Sequence, residues 1–168
     1  MTTLRRMQLA GLALACCLAG CAFKTPTSDT TRASGPAPFL IDDRVTGTTA
    51  NRFTYVGRWE HVRGDHDGRY DATSTRCFTP GDSVSLFFYG RRVELHGVTG
   101  PNGGPATLVI DGKLHAIDFF NRTKTMATVY LSPAMRPGPH TLVVVVGVKP
   151  KGIAPRGFVN IDYARVEP

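Results

Sequence analysis

The sequence lacks the two patterns that would indicate a helical or a membrane-spanning protein. From Asp42 to the end of its 168 residues it contains no stretch of any length in which apolar residues recur at helical spacing. The apolar run over residues 9–18 is short, and polar sequence follows it closely. A helix needs about 20 consecutive apolar residues to cross a bilayer. The pattern therefore predicts neither an α-helical domain nor a transmembrane helix.

Motifs that carry catalysis or hold a metal are also missing. The sequence has no Gly-x-Ser-x-Gly elbow to present a serine nucleophile. Its five histidines show neither the His-x-His nor the His-x-x-x-His spacing that brings two imidazoles to one metal ion. Ser83 with His96 or His140 and an aspartate has the residue types of a serine triad. Ser83 belongs to a turn motif, however, so we do not assign it a catalytic role. The sequence thus predicts no catalytic residue, no metal and no cofactor, although two carboxylates for glycoside hydrolysis can meet from any positions.

Basic side chains exceed acidic ones, but no single element concentrates them. The sequence has 20 Lys and Arg against 13 Asp and Glu, which gives a formal net charge of +7. The nearest approach to a cluster is Lys149, Lys151 and Arg156, within a loop rich in proline and glycine. Nucleic-acid-binding proteins gather basic residues on one element and interleave aromatic ones. We therefore expect no nucleic-acid partner, and we assign the excess to solubility or to attraction toward an anionic envelope surface.

The N-terminal residues have the features of a secretory signal. Two arginines precede the apolar run, and small residues follow it. The series Leu18-Ala19-Gly20-Cys21 is similar to the lipobox of bacterial lipoprotein signals at all four positions. In that family the thiol receives a diacylglyceryl group and the peptidase cuts before the cysteine. We predict a signal peptide over 1–20 and lipidation of Cys21, the alternative being a plain secretory signal.

Lipidation at Cys21 would decide where the protein resides. The resemblance implies a cell-envelope lipoprotein that is held to the membrane by its N-terminal lipid. Ala22 follows the cysteine, instead of the aspartate that typically retains lipoproteins in the inner membrane. The expected location is therefore the outer membrane in a Gram-negative cell, and the outer face of the only membrane in a Gram-positive cell.

The four cysteines suggest a disulfide framework only until the signal is removed. Cys16 and Cys17 would leave with the signal peptide, and Cys21 would carry lipid. Cys77 would then stand alone, so no disulfide within the mature chain is expected. Because Cys77 lies in a predicted strand, we assign it a buried structural role.

Residues 21–40 are predicted to be the lipidated cysteine and a flexible tether. This segment is rich in Thr, Ser and Pro and lacks the apolar periodicity needed to bury a face. One folded domain is predicted over 41–168, where short alternating segments are separated by turn signals. About nine strands are expected, over 52–59, 73–78, 83–89, 93–96, 107–110, 114–119, 124–131, 141–146 and 158–166. Such spacing without helices indicates an all-β sandwich or barrel.

Turn residues and alternation also predict how some of these strands are arranged. Gly90-Arg91 is expected to join 83–89 and 93–96 into a hairpin, and Asp111-Gly112 is a two-residue hairpin signal. Segment 141–146 is apolar on both faces, which places it in the middle of its sheet. In the last strand, alternation predicts one face for Val159, Ile161 and Tyr163, and the opposite face for Asn160 and Asp162.

Several short motifs follow one another in an order typical of a known family. They are Tyr55-Val56-Gly57-Arg58-Trp59, Gly81-Asp82-Ser83-Val84, Phe88-Tyr89-Gly90, Val93-Glu94-Leu95-His96-Gly97, Ile110-Asp111-Gly112, Gly138-Pro139-His140-Thr141-Leu142 and Val159-Asn160-Ile161-Asp162-Tyr163. The series resembles the galactose-binding-domain-like β-sandwiches, which occur as carbohydrate-binding modules and as companions of secreted hydrolases and esterases. The resemblance covers roughly residues 41–168 and implies a single jelly-roll β-sandwich of about eight to nine strands. It does not fix the ligand, since this fold serves many functions.

Segment 63–71 is the leading candidate for a binding loop. Sugar recognition needs an apolar plate for the C–H face of the ring and planar polar groups that take hydroxyls in pairs. We predict Tyr70 as the plate, with Arg69, Asp67 and His66 as the hydrogen-bonding set. The alternative is a solvated polar turn. Trp59 is a further ligand-binding candidate, for which packing between the sheets is the competing interpretation.

The sequence contains two other candidate sites. Phe87 and Tyr89 alternate onto the face opposite the core, where they would form a platform or be covered by another part of the chain. Asp65, Asp67 and Asp71 are similar to a calcium loop, but Arg69 stands where another oxygen ligand is needed and no glutamate follows at the right distance.

These observations lead to three hypotheses about function. The first is a non-catalytic, lipid-anchored envelope protein whose β-sandwich binds a glycan or a protein partner. The second is a structural or assembly lipoprotein with protein contacts alone. The third is a small hydrolase or esterase acting on envelope glycans.

Overall fold

The computed structural model describes residues 35–64, 68–148 and 157–168. Within these ranges the chain forms twelve strands and one short 3-10 turn, Tyr70–Ala72. The strands are β1 (Phe39–Asp42), β2 (Arg52–Val56), β3 (Trp59–Arg63), β4 (Thr73–Cys77), β5 (Ser83–Gly90), β6 (Arg92–Thr99), β7 (Pro105–Ile110), β8 (Lys113–Asp118), β9 (Thr125–Leu131), β10 (Gly138–Val146), β11 (Val159–Ile161) and β12 (Tyr163–Glu167). The predicted signal peptide, Cys21 and most of the predicted tether lie outside the described residues.

The strands form three antiparallel sheets. The five-stranded sheet has the order β2-β5-β10-β7-β8, the four-stranded sheet β1-β12-β6-β9, and the three-stranded sheet β11-β4-β3. No helix among the described residues is long and apolar enough to cross a membrane. The predicted all-β sandwich is therefore confirmed.

One hydrophobic core receives side chains from all three sheets. Alternation along β5 buries every second residue, so Val84, Leu86 and Phe88 are 1%, 0% and 0% exposed. The same core contains residues of β6 and β12 from the four-stranded sheet and of β4 and β11 from the three-stranded sheet: Val93, Leu95, Ala164, Val166, Cys77, Val159 and Ile161. The sheets thus pack their apolar faces on each other, as the fold class requires.

Two predicted arrangements are confirmed in the five-stranded sheet. Strand β10 lies between β5 and β7, as its two apolar faces predict. Strands β7 and β8 form a hairpin in which Ile110 faces Lys113. Asp111 and Gly112 have φ angles of 47° and 79° there, the left-handed geometry of a type I′ turn.

The strand count is higher than predicted, because two breaks and one short strand were missed. Strand β1 begins at Phe39, inside the segment predicted as tether. The segment 52–59 is split at Gly57, which has a φ of 101° and whose missing Cβ leaves room for the Asp82 carboxylate. The segment 158–166 is split at Asp162. The alternation of apolar and polar residues does not reveal such a break, since hydrophobic residues occur on both sides of it.

The predicted hairpin of 83–89 with 93–96 is wrong. Strand β5 pairs with β2 and β10, whereas β6 pairs with β12 and β9 in another sheet. Gly90 lies against the carbonyl of Glu167, and the Arg91 N–H donates to that carbonyl over 2.7 Å. The Gly90-Arg91 link therefore carries the chain from one sheet to the other, a connection that strand alternation does not distinguish from a hairpin.

Cys77 is buried and free, and it is the one cysteine within the described residues. Its Sγ lies 3.5 Å from Asp82 Oδ2, and the Thr79 N–H donates to it over 3.4 Å. Burial and the nearby Asp82 carboxylate raise the pKa of the thiol. A thiol that resists ionisation is a poor nucleophile, which agrees with a structural role.

Candidate functional site

The 3-10 turn Tyr70–Ala72 holds the predicted plate residue in a fixed position. The Tyr70 N–H donates to Oδ2 of the buried Asp162 over 2.9 Å. The turn closes onto β3, because the Gly64 N–H donates to the Ala72 carbonyl over 2.8 Å. Asp71 and Ala72 adopt left-handed φ angles of 48° and 54°. Left-handed backbone costs about 1–2 kcal/mol for a residue with a Cβ, so surrounding bonds must hold this turn.

The Tyr70 ring is exposed and rests on a second ring. Tyr70 is 43% exposed, and its ring centroid lies 5.5 Å from that of Tyr163, with the planes at 53°. Tyr163 in turn stacks on His96 at 4.3 Å and 10°. Tyr163 and His96 meet because they face each other across β12 and β6. Tyr70, Tyr163 and His96 are referred to below as the Tyr70 row.

Polar groups of the four-stranded sheet flank the Tyr70 row. The Glu94 carboxylate accepts from Arg165 Nη1 at 2.5 Å and lies 3.2 Å from His96 Nε2. His96 Nδ1 lies 3.3 Å from the Thr128 hydroxyl. Partial burial alone would raise the pKa of Glu94, but the bonds from His96 and Arg165 outweigh it and lower that pKa. These groups hold the His96 ring in place and leave the exposed sheet face polar.

Beneath the row lies a buried carboxylate that is only half satisfied. Asp162 is 0% exposed, and its Oδ1 has no hydrogen-bond partner among the described residues. Burial, aided by the charges of Asp43 and Asp42, raises the pKa of Asp162 to about 7. The bond from Tyr70 and the charge of Arg69 oppose this rise without cancelling it. Asp162 is therefore a carboxyl group that exchanges its proton near neutral pH.

A second buried carboxylate, Asp43, is fully hydrogen-bonded. Thr73 Oγ1 donates to its Oδ1 over 2.6 Å, and Thr75 Oγ1 donates to its Oδ2. His61 Nδ1 lies 2.6 Å from the same Thr75 oxygen. Because the single Thr75 hydrogen is donated to Asp43, the Thr75 oxygen is left to accept from His61 Nδ1. Burial raises the pKa of Asp43, although both threonine bonds act against the rise.

Neither hydroxyl group examined for nucleophilic chemistry has triad geometry. In a serine triad the imidazole stands between the hydroxyl and the carboxylate. Here the hydroxyl of Thr75 stands between His61 and Asp43, and Thr75 is 0% exposed. Ser83 faces Val145 in the β5–β10 pair, whereas His140 faces Phe88 at the other end of β5. The pairing therefore separates Ser83 from His140, and His140 is bonded to Asp111 Oδ2 at 2.5 Å and to the Arg136 carbonyl at 2.9 Å.

A cavity of about 440 Å³ opens beside the Tyr70 turn. It is lined by two arginines, the strained turn and the start of β4: Arg44, Arg63, Gly64, Asp71, Ala72 and Thr73. A second cavity, of about 460 Å³, is lined by Arg58, Phe78, Thr79, Pro80, Gly147, Val148 and Gly157. Within the described ranges, no group of three or more His, Cys, Asp and Glu residues could hold a metal ion.

The predicted ligand residues are only partly brought together. Tyr70 and Arg69 are adjacent on the turn, while His66 and Asp67 lie outside the described residues. Trp59 is at the far end of β3, four positions from Arg63, which faces Thr73 next to the turn. It packs on Tyr55 at 5.1 Å, and its Nε1–H donates to the Val56 carbonyl over 3.1 Å. Trp59 therefore does not join the Tyr70 row, and its binding role stays a prediction.

Sequence reasoning missed Tyr163 and His96 as members of the site. It predicted that Tyr163 shares a face with Val159 and Ile161, which is wrong. Those two residues are 0% exposed, whereas Tyr163 points outward beside His96. The break at Asp162 reverses the alternation, so the residue after the break changes faces. The prediction that His96 points outward is correct. That His96 lies opposite Tyr163 depends on the pairing of β12 with β6, which the sequence does not show.

The second aromatic candidate is also present on the surface. The Phe87 and Tyr89 rings lie 5.4 Å apart at 69° on the outer face of the five-stranded sheet. Tyr89 is 54% exposed, and Val56 and Leu114 on the two edge strands, β2 and β8, are 60% and 74% exposed. This outer face is largely apolar, in contrast to the polar surroundings of the Tyr70 row.

No protein-family model and no curated protein sequence matches this chain. Solved structures with a similar fold include the CBM36-1 domain, a carbohydrate-binding module of a multidomain xylanase from the hindgut metagenome of Trinervitermes trinervoides. The two are 16% identical with a TM-score of 0.50, over 79% of this chain and 98% of that one. A two-domain esterase active on acetylated mannans is 14% identical with a TM-score of 0.53, over 78% of this chain and 37% of that one.

A family two carbohydrate esterase from Cellvibrio japonicus is a further structural neighbour. It is 17% identical with a TM-score of 0.50, over 77% of this chain and 32% of the esterase. The chain thus spans about a third of each esterase and nearly the whole of the carbohydrate-binding module. At these identities the likeness shows the fold alone, and it confirms that this is a β-sandwich like those of carbohydrate-binding modules.

Proposed function

We propose that this protein is a non-catalytic, lipid-anchored cell-envelope protein whose β-sandwich binds a glycan at the Tyr70 row. The observation that carries the proposal is the exposed Tyr70 ring, which is braced by Tyr163 and tied through its backbone to Asp162. A braced ring loses little freedom when a ligand stacks on it, so less binding energy is lost to ordering. A tyrosine in a merely solvated turn would lack both supports.

Polar residues of the required types are neighbours of Tyr70 in the sequence. The planar guanidinium of Arg69 and the carboxylate of Asp71 flank Tyr70 in sequence, and His66 and Asp67 are retained as predicted members of the same set. Planar side chains accept or donate two hydrogen bonds at once, which suits neighbouring sugar hydroxyls. The β-sandwich of the CBM36-1 domain supports the same class of function by fold, and the fold alone does not choose the ligand.

The anchor is the second part of the proposal. The lipobox resemblance at Cys21 supports lipidation, and two or more acyl chains hold a protein stably where one does not. Ala22 after the cysteine favours the outer membrane if the cell is Gram-negative. A glycan-binding domain held there would attach an envelope polymer to the membrane surface without chemistry of its own.

A glycan array with the full-length protein in detergent micelles tests the binding site. We expect Tyr70→Ala to weaken glycan binding by about tenfold, and Tyr70→Phe to retain it, because stacking needs the ring and not the hydroxyl. Tyr89→Ala is the matched control, since Tyr89 is also exposed but lies on β5 of the five-stranded sheet, away from the Tyr70 turn. Glycan binding that survives both Tyr70→Ala and Arg69→Ala would refute this site.

A protein-binding role is the second candidate, and the outer face of the five-stranded sheet favours it. Exposed apolar side chains that share one face often mark an interaction surface. Pull-downs from envelope extracts would run beside the glycan array, with Tyr89→Glu and Leu114→Glu as variants. A specific partner lost in those variants, with no glycan bound by the unaltered protein, would replace glycan binding by an assembly role.

A further inference from the structure

The cavity beside the Tyr70 turn continues the surface that the Tyr70 row begins. Asp71 lines the cavity and directly follows Tyr70. On the other side, Asp42 faces Tyr163 across β1 and β12, and Arg44 follows Asp42 by two residues. The cavity is therefore lined by the same 3-10 turn that presents Tyr70, through Asp71 and Ala72. Its volume, about 440 Å³, lies within the range of about 300–1,000 Å³ typical of small-molecule sites.

Two arginines in this cavity are placed by the backbone, and neither forms an ion pair within the described part of the chain. The Arg44 N–H donates to Asp42 Oδ1 over 2.9 Å, and Arg63 faces Thr73 at the end of β3. Both side chains are exposed. Within the described ranges, the ion pairs of arginine belong to Arg76, Arg92 and Arg165, so neither Arg44 nor Arg63 is paired with a carboxylate there.

The remaining polar groups of the cavity do not cancel these charges. Asp71 is the one acidic side chain among the described residues that line it. Thr73 donates its hydroxyl inward to Asp43 and so does not present it to the cavity. Behind the lining, burial raises the pKa of both Asp43 and Asp162. Among the described lining residues, the cavity therefore presents two guanidinium groups and one carboxylate.

This arrangement fits one class of sugar. A guanidinium group binds a carboxylate through two parallel N–H donors, and it does so better than any other side chain. A uronic acid carries a carboxylate on the same ring whose C–H face would stack on Tyr70. Asp71 would accept bonds from the ring hydroxyls. A neutral sugar would leave both guanidinium groups without a matching acceptor.

We propose that the ligand is an acidic glycan, whose uronic acid carboxylate is bound by Arg44 and Arg63 in the cavity beside Tyr70. This inference rests on the proposed glycan-binding function and names the class of sugar that the same site would select. It assigns to Arg44 and Arg63 a role that sequence reasoning did not give them.

The test compares two probes that differ only in charge: tetragalacturonate and its fully methyl-esterified form. Binding to the full-length protein in detergent micelles is measured by calorimetry at low and at physiological salt. We expect the acid to bind at least about tenfold more tightly than the ester, with the difference shrinking as salt rises. In the Arg44→Gln/Arg63→Gln double variant the acid should bind no more tightly than the ester. Arg122→Gln, which removes an exposed arginine outside the cavity, should keep the preference.

Each outcome separates this inference from the proposed function. Equal binding of acid and ester by the unaltered protein overturns the acidic ligand but leaves glycan binding intact. A preference for the acid that survives the double variant, or that Arg122→Gln reduces as strongly, shows attraction by general charge and also overturns it. Loss of acid and ester together in Tyr70→Ala, with the double variant affecting the acid alone, supports both statements. If no glycan on the array binds, the proposed function itself fails.

Discussion

The backbone N–H of Tyr70 and the Oδ2 atom of Asp162 are joined by a hydrogen bond of 2.9 Å across 92 residues of sequence. The bond connects an exposed ring to a carboxyl group that is 0% exposed. Asp162 also lies where β11 ends and β12 begins, so the residue that breaks the last strand is the one that anchors the binding turn. The position of the plate therefore depends on the protonation and packing of a buried group.

The raised pKa of Asp162 predicts how stability changes with pH. The folded protein holds the proton up to about pH 7, whereas an unfolded Asp releases it near 3.8. The folded state thus binds more protons between these values, and the free energy of unfolding falls as pH rises through this window. Asp162→Asn should flatten that dependence, since its amide does not ionise. The free energy of unfolding of Asp162→Asn minus that of the unaltered protein should rise by up to about 4 kcal/mol between pH 4 and pH 7.

Urea denaturation at intervals of pH measures this difference directly. Asp118→Asn serves as the control, because Asp118 is an exposed aspartate at the end of β8. The buried Asp43, whose pKa is also raised, is present in every variant, and its charge is one cause of the raised pKa of Asp162. An Asp162→Asn profile parallel to that of the unaltered protein would contradict the assignment.

The sequence predicts the strands better than it predicts their partners. Alternation places Val84, Leu86 and Phe88 in the core correctly, because burial of every second residue is a local property of a strand. The hairpin of 83–89 with 93–96 is wrong because a short turn and a crossing between sheets use the same residues. Pairing depends on hydrogen bonds to distant segments, such as that from Arg91 to Glu167. Local sequence does not contain that information.

The residues of the candidate site also fall into two groups: those that the sequence identifies and those that only the fold identifies. Tyr70 is identifiable from the sequence because an aromatic residue within a polar, charged segment is conspicuous. Tyr163 is not, because its outward position follows from the break at Asp162. Arg44 and Arg63 are separated by 19 positions of sequence, and only the packing of β1 against its neighbours brings them to one cavity.

The hydroxyl of Thr75 should contribute measurably to stability. It donates to the buried Asp43 carboxylate and lies 2.6 Å from His61 Nδ1. Thr75→Val keeps the shape and removes the donor, which leaves a buried carboxylate oxygen with one bond fewer. A hydrogen bond to a charged group contributes about 1.5–3 kcal/mol, so we expect a loss of that size in urea denaturation. Thr75→Ser keeps the hydroxyl and should lose less than half as much. Equal losses in the two variants would show that the methyl group matters and the hydrogen bond does not.

Gly97 is expected to tolerate no side chain. A Cβ at this position would overlap the carbonyl oxygen of Asn160, a backbone atom that cannot rotate away. Asn160 is itself fixed, because its side chain accepts from the Val98 N–H at 2.9 Å and donates to Ser74 at 3.1 Å. Gly97→Ala should therefore cost more than about 3 kcal/mol or prevent folding. Gly100→Ala is the matched variant in the same strand region, where a Cβ would meet Lys124 at an ordinary 3.5 Å. Thermal unfolding of both variants measures the contrast, and similar melting temperatures would contradict it.

The anchor is tested by the choice among neighbouring cysteines. Cys21 follows Leu18-Ala19-Gly20, whereas the pattern fails before Cys16 at Ala13, where a large apolar residue is expected, and before Cys17 at Cys16, where a small residue is expected. We expect Cys21→Ala to abolish metabolic palmitate labelling and to leave the signal uncleaved by the lipoprotein peptidase. Cys17→Ala should be labelled as the unaltered protein is, because only the thiol at the cleavage site is lipidated. Cell fractionation and electrophoretic mobility would run beside the labelling. Palmitate incorporation that persists in Cys21→Ala and is lost in Cys17→Ala would move the anchor to the neighbouring cysteine and shift the predicted tether by four residues.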